Sequence, residues 1–424
     1  MDLNTYTEIE PKVHVSPSSY ILAGQPFSIK ISKWETNTRF KLHYIKKEDS
    51  DLLWYSVNEY KTNEAGDFNI KEDAPISGTY KVADELGIFW SAERHSTYDH
   101  IDLIEIYNII DALHRNDIAL ILEFNGKIIW KKTFDYKHIL NQENKEIVRF
   151  DNLIANLYFP DNRTMDKVVV FIGGTEAGIN YSDYLARIIG LNICPAISTA
   201  YFGSHNLPKE LVNLPLEYFI KIIDYIKSNP KIKDHKIIMA GYSKGAEASL
   251  LTAIACNLID ALVLWSPSSY VFQGISITNE NSSTWTWNKI PLNYIPLDYK
   301  KLSYGNTLRS IYEEGIANCS NIKECRIPVD ELNCPILMFS GQDDLLWPSD
   351  HMANQIEQIL TENNQDKTYN ISFPKTGHLC CGTGYEEYES YFKHSSLPLG
   401  GTPYSSSMAA RHSWEIFINF IKTI

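Results

Sequence analysis

Several features of membrane, secreted and metal-binding proteins are missing from the sequence. No run of about 18 apolar residues occurs, and the first residues, MDLNTYTEIEPKV, lack the basic start and apolar core of a secretory signal. Seven cysteines form no C-x-x-C pair and no Cys/His cluster at metal-binding spacing, which favours free thiols in a reducing compartment. We therefore expect a cytoplasmic globular protein that has no membrane span and binds no metal.

Positive charge is also scarce. Lys and Arg number 39 against 52 Asp and Glu, which gives a formal net charge of -13. Such a charge repels polyanions, so nucleic acid and anionic membrane surfaces are poor candidate partners. A phosphorylated small molecule held by a local basic patch stays compatible with it. Nothing in the sequence predicts an oligomeric state.

The chain has 424 residues, 44% of them apolar, which is enough for two or three domains. FSIKIS (27–32) and RFKLHYI (39–45) alternate apolar and polar residues, as half-buried strands do. Asn125-Gly126 lies between two strand-like runs and suits a two-residue hairpin turn. The sequence thus predicts an all-β sandwich domain over residues 1–145, which ends near the polar run NQENKE (141–146).

Residues 146–424 follow a different pattern. DKVVVFIGG (166–174) is a continuous apolar run, typical of a strand buried on both faces. Further strands are predicted at residues 236–240, 260–266, 335–341 and 368–373, with amphipathic helices between them. This alternation predicts a mostly parallel sheet with helices on both faces. Residues 267–333 interrupt it and are a candidate cap or insertion.

The pentapeptide GYSKG (241–245) joins the predicted strand at 236–240 to a predicted helix. A G-x-S-x-G sequence arises by chance in roughly one chain of this length in ten, and a simple glycine turn is the alternative interpretation. At a strand-to-helix junction, however, a sharp turn can lift Ser243 above the sheet, and the two glycines leave it room. Ser243 is therefore a candidate nucleophile.

A nucleophilic serine needs a base, and the base needs an orienting acid. On a sheet of this kind both follow later strands, in the chain order Ser, acid, His. Asp343 and Asp344 follow the strand at 335–341, and His378 follows the strand at 368–373. The residues alone leave the choice between the two aspartates open.

Six motifs and a late segment carry a resemblance to a known family. In chain order the motifs are GTEAG, AYFGSHNLPKELVNLPLEYF, GYSKGAE, STWTWNKIPL, GQDDLLWPS and PKTGH. They resemble the acyl-CoA thioester hydrolase and bile acid-CoA:amino acid N-acyltransferase family, and SGTYKVADELGIFWS (77–91) resembles the end of its N-terminal domain. The segment LGGTPYSSSMAARHSWEIFINFI is similar to bacterial members.

The resemblance implies an immunoglobulin-like sandwich followed by an α/β-hydrolase domain. It implies Ser243 as nucleophile, Asp344 as acid and His378 as base, and coenzyme A as part of the substrate, with no cofactor. Similar members that conjugate amino acids use cysteine, so a serine favours hydrolysis of an acyl thioester. Transfer of the acyl group to a small amine or alcohol, carboxylesterase activity and non-catalytic ligand binding are the alternatives.

Acyl transfer also needs donors for the oxyanion. We expect the backbone N–H of Lys244 and a second one from Thr175 or Glu176, in a loop that departs from the family's more glycine-rich pattern. Trp285, Trp287 and Tyr294 could line an acyl pocket, or could simply pack the insertion. Four cations are candidates for the coenzyme A phosphates or are ordinary surface charges: Lys244, Lys375, Lys393 and Arg411. For Glu247, one helical turn beyond Ser243, we expect a salt link on the helix surface.

Overall fold

A computed structural model describes residues 10–18, 20–21, 24–49, 52–96, 104–115, 117–136, 145–150, 152–160, 165–204, 206–276, 281–363, 365 and 367–424. The chain divides into two compact units. The first comprises Met1–His138 and Thr383–His394, and the second comprises Ile139–Gly382 and Ser395–Ile424. Within the described residues, no helix has both the length and the apolar character that crossing a membrane requires.

The first unit consists mainly of two β-sheets. Its strands are β1 (Lys12–Ser16), β2 (Tyr20–Ile21), β3 (Ser28–Ser32), β4 (Arg39–Asp49), β5 (Leu52–Lys61), β6 (Phe68–Asn69), β7 (Ser77–Gly78), β8 (Glu93–His95), β9 (Asp117–Phe124) and β10 (Lys127–Tyr136). One sheet has the order β1-β3-β6, and the other has the order β2-β10-β9-β4-β5-β7, with β8 also paired to β5. Two of its helices are α1 (Gly87–Trp90) and α2 (Ile104–Ala112).

Aromatic packing joins the two sheets into a sandwich. The ring of Phe68 in β6 lies 5.1 Å from that of Phe40 in β4 and 4.7 Å from that of Tyr60 in β5. The predicted hairpin is present between β9 and β10, and Asn125 and Gly126 have φ angles of 51° and 74°. The prediction of a β-sandwich is confirmed, but α2 was not foreseen.

The second unit contains eleven of the described strands. They are β11 (Lys145–Phe150), β12 (Leu153–Tyr158), β13 (Lys167–Ile172), β14 (Ala196–Ala200), β15 (Leu214–Pro215), β16 (Lys236–Tyr242), β17 (Ala261–Trp265), β18 (Trp285–Trp287), β19 (Ile290–Pro291), β20 (Ile336–Gly341) and β21 (Thr368–Phe373). The main sheet has the order β11-β12-β14-β13-β16-β17-β20-β21. From β14 onward neighbouring strands are parallel, whereas β11 and β12 are antiparallel to their neighbours.

Helices cover both faces of this sheet. The helices described in the second unit are α3 (Asn180–Asn192), α4 (Glu217–Ser228), α5 (Lys244–Ala255), α6 (Leu308–Asn318), α7 (Ile322–Cys325), α8 (Ser349–Glu362) and α10 (Pro403–Thr423), while α9 (Tyr388–His394) belongs to the first unit. Val170 of β13 faces a core shared with α4 and α5. The next residue, Phe171, packs on Phe417 of α10 with ring centroids 5.9 Å apart. The sheet is therefore buried on both faces, which explains the continuous apolar runs.

Residues 383–394 pack within the first unit, although they come late in the chain, and the ring of Tyr385 lies there 5.1 Å from that of Phe89. Residues 267–333 belong to the second unit, and several of them form a core with Trp347 and Met352 that is separate from the main core. The division at 145/146 stays a prediction.

Candidate active site

Ser243 lies in the sharp turn between β16 and α5. Its backbone has φ 55° and ψ -120°, a region that residues other than glycine rarely adopt. Its N–H donates to the carbonyl oxygen of Trp265 at 2.9 Å, and its carbonyl accepts from Ala246 at 2.9 Å. These bonds to a neighbouring strand and to the helix hold Ser243 at the carboxyl end of the sheet.

Gly241 and Gly245 stand where a side chain would collide with the backbone. A Cβ atom on Gly241 would lie 2.3 Å from the carbonyl oxygen of Gly245. A Cβ atom on Gly245 would lie 2.3 Å from the carbonyl oxygens of Ile172 and Gly173. The turn therefore requires glycine at both positions, which is the physical reason for the G-x-S-x-G spacing.

The structure brings Ser243, His378 and Asp344 together from three separate loops. Oγ of Ser243 lies 3.0 Å from Nε2 of His378, and Nδ1 of His378 lies 2.8 Å from Oδ2 of Asp344. The exposed fractions of the three residues are 6%, 3% and 0%, in that order. In this spatial order, the imidazole can take a proton from the hydroxyl of the nucleophile, and the carboxylate stabilises the imidazolium that forms.

The two neighbouring aspartates have different surroundings. Asp344 is fully buried, and its Oδ2 also accepts a hydrogen bond from Oγ of Ser349 at 2.6 Å. Its Oδ1 accepts from the N–H groups of Leu346 and Trp347 at 2.9 and 3.2 Å. Asp343 is exposed. The geometry thus separates two residues that the sequence alone could not.

Aromatic rings and a serine hold His378 in place. The ring of Tyr242 lies 5.3 Å from the imidazole, and the ring of Trp347 lies 5.9 Å from it. Oγ of Ser266 donates to the backbone carbonyl of His378 at 3.0 Å. The imidazole therefore has little freedom to leave the line between Ser243 and Asp344.

The loop after β13 supplies the other side of the site. Oε1 of Glu176 accepts a hydrogen bond from the N–H of Gly174 at 2.8 Å. Desolvation raises the pKa of Glu176, while the N–H groups of Glu176 and Gly174 and the charge of His378 oppose that rise. Behind the loop, the hydroxyl of Tyr201 donates to the carbonyl oxygens of Gly173, at 3.0 Å, and Gly174.

A buried ion pair lies directly behind the nucleophile. Nζ of Lys244 lies 2.8 Å from Oε2 of Glu247, and the side chains are 1% and 0% exposed. Lys244 also donates to Oγ1 of Thr284 at 3.1 Å, and Nε1 of Trp285 donates to Oε1 of Glu247 at 2.8 Å. Desolvation raises the pKa of Glu247, and the charge of Lys244 opposes it. The expected surface salt link is therefore wrong, because the pair is enclosed by residues of the insertion.

The three aromatic residues predicted for an acyl pocket occupy different surroundings. Trp285 is fully buried in the main core, where its ring lies 5.9 Å from that of Tyr201 and 6.0 Å from that of Phe219. Trp287 and Tyr294 are half-buried and pack against the same core. These contacts describe packing of the insertion onto the domain.

The four candidate cations also differ. Lys244 is buried and paired with Glu247, so it is not a surface charge. Lys393 is paired with Glu93 in the first unit. Lys375 is exposed and Arg411 is half-buried. Across the part of the chain that the structure describes, no three His, Cys, Asp or Glu side chains cluster as they would around a metal ion.

Sequence reasoning missed Tyr201, Ser349 and Ser266, each of which contacts the site through a hydrogen bond. Ser349 lies within the quoted motif GQDDLLWPS and Tyr201 within AYFGSHN. Ser266 directly follows β17, at the same edge of the sheet as Ser243. The available signal for Tyr201 and Ser266 was a position directly after a strand, whereas Ser349 begins α8.

The strand order, the turn at Ser243 and the three loops that meet there define the second unit as an α/β-hydrolase domain. The expected fold class is thereby confirmed. The comparisons with known proteins then identify the family.

A family model described as "BAAT / Acyl-CoA thioester hydrolase C terminal" matches residues 214–424. A second, "Acyl-CoA thioester hydrolase/BAAT N-terminal region", matches residues 24–109. The chain belongs to this family, as its motifs indicated, and it is an enzyme of the α/β-hydrolase fold.

Relatives with different activities match the chain over nearly its whole length. Acyl-coenzyme A thioesterase 5 of Mus musculus is 21% identical over 416 residues, which cover 96% of this chain and 94% of that protein. Acyl-coenzyme A amino acid N-acyltransferase 1 of Mus musculus is 21% identical over 430 residues, which cover 97% of each chain. Among solved structures, the acylaminoacyl peptidase of Pyrococcus horikoshii is similar over 94% of this chain and 59% of that chain, with 12% identity and a TM-score of 0.43.

Proposed function

We propose that this protein is a serine-dependent acyl-thioester hydrolase that acts on an acyl-CoA or a related thioester through an acyl-serine intermediate. The observation that carries the proposal is the unbroken line of contacts from Oγ of Ser243 through His378 to Asp344, at 3.0 and 2.8 Å. The names of the relatives supply the thioester, since a Ser, His and Asp arrangement does not itself select the leaving group.

Acylation begins when Oγ of Ser243 attacks the thioester carbonyl and Nε2 of His378 takes its proton. Asp344 accepts a hydrogen bond from Nδ1 and stabilises the imidazolium. When the tetrahedral intermediate collapses, the carbon–sulfur bond breaks and the thiolate leaves with the proton from His378. The products of this half-reaction are free thiol and acyl-serine.

Two backbone N–H groups would stabilise the oxyanion. Lys244 is the first residue of α5, and the first N–H groups of a helix have no partner within it. In the loop after β13, Tyr201 holds the carbonyl oxygen of Gly174. Because C=O and N–H point in opposite directions across a trans peptide, the N–H of Thr175 faces away from Tyr201. Thr175 is therefore our second donor, in preference to Glu176, whose own N–H interacts with its carboxylate.

Deacylation repeats the chemistry with water. His378 takes a proton from the water that attacks the acyl-serine, and returns it to Oγ of Ser243 when the ester bond breaks. The free acid is released. A small amine or alcohol could attack in place of water if it reached the site first, which is the transferase alternative.

The test is thiol release from a panel of acyl-CoAs of increasing chain length, with product acid measured in parallel. We expect equal amounts of thiol and free acid, and loss of both in Ser243→Ala. Repeating the assay with small amines such as glycine tests the alternative, because a conjugate formed in place of the acid would reassign the enzyme as a transferase. Fluorophosphonate labelling that is as strong in Ser243→Ala as in the parent would overturn the serine mechanism.

A further inference from the structure

Glu176 lies beside the nucleophile and is not used by the proposed chemistry. A Cβ atom built on Gly174 would lie 3.0 Å from Oε2 of Glu176 and 3.2 Å from Cβ of Ser243. The carboxylate and the nucleophile are thus neighbours across a glycine. Glu176 as a whole residue is half-buried, and desolvation of its carboxyl group raises the pKa of that group.

The carboxylate is fixed rather than free to swing away. Oε1 accepts from the N–H of Gly174 at 2.8 Å, and a Cβ atom on Gly173 would lie 2.3 Å from the same oxygen. Glycines at these two positions therefore leave the space that the folded-back side chain of Glu176 occupies. Hydrogen bonds from the backbone N–H groups of Gly174 and Glu176 oppose that rise in pKa, because they favour the ionised form of the carboxyl.

Two cationic groups beside Ser243, those of Lys244 and His378, each have another carboxylate partner among the described residues. Nζ of Lys244 points to Glu247 and Thr284. The positive charge that His378 acquires during the reaction is shared with Asp344, which contacts its Nδ1 at 2.8 Å. A substrate that brings its own carboxylate close to Ser243 would therefore meet a fixed negative charge, and like charges in a partly desolvated site repel strongly.

We propose that Glu176 is a specificity-determining residue that makes the enzyme prefer acyl groups without charge near the thioester over acyl groups that carry a carboxylate a few bonds from the carbonyl. This inference rests on the proposed thioesterase function and adds the class of acyl group. It concerns the acyl part alone, since the coenzyme is common to both kinds of substrate.

The test compares two acyl-CoAs of equal carbon number, butanoyl-CoA and succinyl-CoA, through kcat/KM measured by thiol release. The parent enzyme should prefer butanoyl-CoA. Glu176→Gln keeps the size of the side chain and an oxygen for the N–H of Gly174, but removes the charge. We expect it to shift the ratio of kcat/KM values toward succinyl-CoA by roughly tenfold.

Two further variants test whether the preference depends on a negative charge at position 176 in particular. Glu176→Asp keeps the charge and should keep the preference for butanoyl-CoA. Asp343→Asn removes one charge from an exposed residue next to Asp344, and it should change the ratio by less than about twofold because exposed charges are screened. Circular dichroism and fluorophosphonate labelling check that each variant is folded.

The outcomes are distinct. An unchanged ratio in folded Glu176→Gln, or an equal shift in Asp343→Asn, overturns the inference and leaves the thioesterase proposal standing. If the parent cleaves neither thioester, the thioesterase proposal fails, and the same comparison is made with p-nitrophenyl butanoate and mono-p-nitrophenyl succinate. A tenfold shift there supports the charge preference, whereas no shift, or no cleavage, overturns it.

Discussion

Nδ1 of His378 lies 2.8 Å from Oδ2 of Asp344, a carboxylate that is fully buried and accepts three further hydrogen bonds. Asp344→Asn keeps the shape but presents an amide to Nδ1, so the imidazole would favour the wrong tautomer for accepting the proton of Ser243. We expect kcat for thioester cleavage to fall roughly 10⁴-fold with little change in the melting temperature.

Asp343→Asn is the matched control for this prediction, because the two aspartates are adjacent and only Asp344 contacts His378. We expect Asp343→Asn to retain most of its activity. Equal losses in the two variants would show that the acid had been assigned wrongly.

The glycines of the turn at Ser243 should tolerate substitution poorly. Gly245→Ala places a Cβ atom 2.3 Å from two backbone carbonyl oxygens, which cannot move without disturbing β13. We expect a loss of about 3 kcal/mol or more in the free energy of unfolding. Urea denaturation of the purified variant measures it, and failure to obtain soluble protein would agree with the prediction.

Gly126→Ala serves as a comparison for Gly245→Ala. Unlike Gly245, Gly126 has a positive φ, 74°, and its Cβ would meet nothing within 4 Å. Only the conformational cost, about 1 kcal/mol, is expected there. Similar losses in the two variants would mean that crowding does not explain the glycine at position 245.

The sequence was most informative about the candidate catalytic residues, because their places follow from the order of the strands. Ser243 comes directly after a strand, and Asp344 and His378 lie in the loops that follow two later strands; parallel strands bring their carboxyl ends to one edge of a sheet. Those positions, together with the family motifs, were enough to nominate all three residues. The hairpin at Asn125-Gly126 was also predictable, because the positive φ angles of its turn are a local requirement that these two residues meet.

Burial and long-range enclosure were harder to foresee. Lys244 and Glu247 have the spacing of a helix-surface pair, but Thr284 and Trp285 come from the insertion and enclose them. The residues of α5 alone do not show that Lys244 and Glu247 are enclosed. Residues 383–394 likewise pack within the first unit, although they lie far from it in the chain. Both features depend on contacts between segments that are distant in the chain, and the spacing of apolar residues along the sequence does not reveal such contacts.

The buried pair should be intolerant of losing either partner. Lys244→Met leaves the carboxylate of Glu247 buried without its cation, and we expect a loss of roughly 3 to 5 kcal/mol in the free energy of unfolding. The double variant Lys244→Met/Glu247→Gln removes both charges and should be less destabilised than the sum of the single variants. Additive losses in this double-mutant cycle would argue against direct coupling.

The pH dependence of stability offers a second readout of the same pair. Burial raises the pKa of Glu247, so the folded protein holds this proton more tightly than the unfolded chain does. Its contribution to stability therefore falls as pH rises from the range of an ordinary glutamate through the raised folded pKa. Glu247→Gln should flatten that part of the stability profile, and a profile identical to the parent's would contradict this account.

Tyr201 should act on the rate through the oxyanion loop. Tyr201→Phe removes the hydroxyl that bonds the carbonyl oxygens of Gly173 and Gly174. We expect kcat to fall roughly 10- to 100-fold while KM changes little, because the N–H groups of the loop lose their alignment with the oxyanion. Tyr218→Phe is the control, since its buried hydroxyl bonds Ala200 and Ile154 instead. An equal fall in kcat for both variants would indicate a general loss of packing.

Chemical labelling of thiols provides a test of the nucleophile that needs no substitution. Desolvation raises the pKa of Cys194, Cys334 and Cys380 to about 12, and all three are buried. These thiols stay protonated near pH 8 and should react slowly with iodoacetamide in the folded enzyme, whereas the partly exposed Cys256 and Cys319 should react first. We therefore expect full thioesterase activity after Cys256 and Cys319 are alkylated and complete loss after fluorophosphonate treatment. In denaturant all seven cysteines should react, which confirms that burial protects them. Inactivation in proportion to alkylation would instead point to a cysteine in the chemistry and against Ser243.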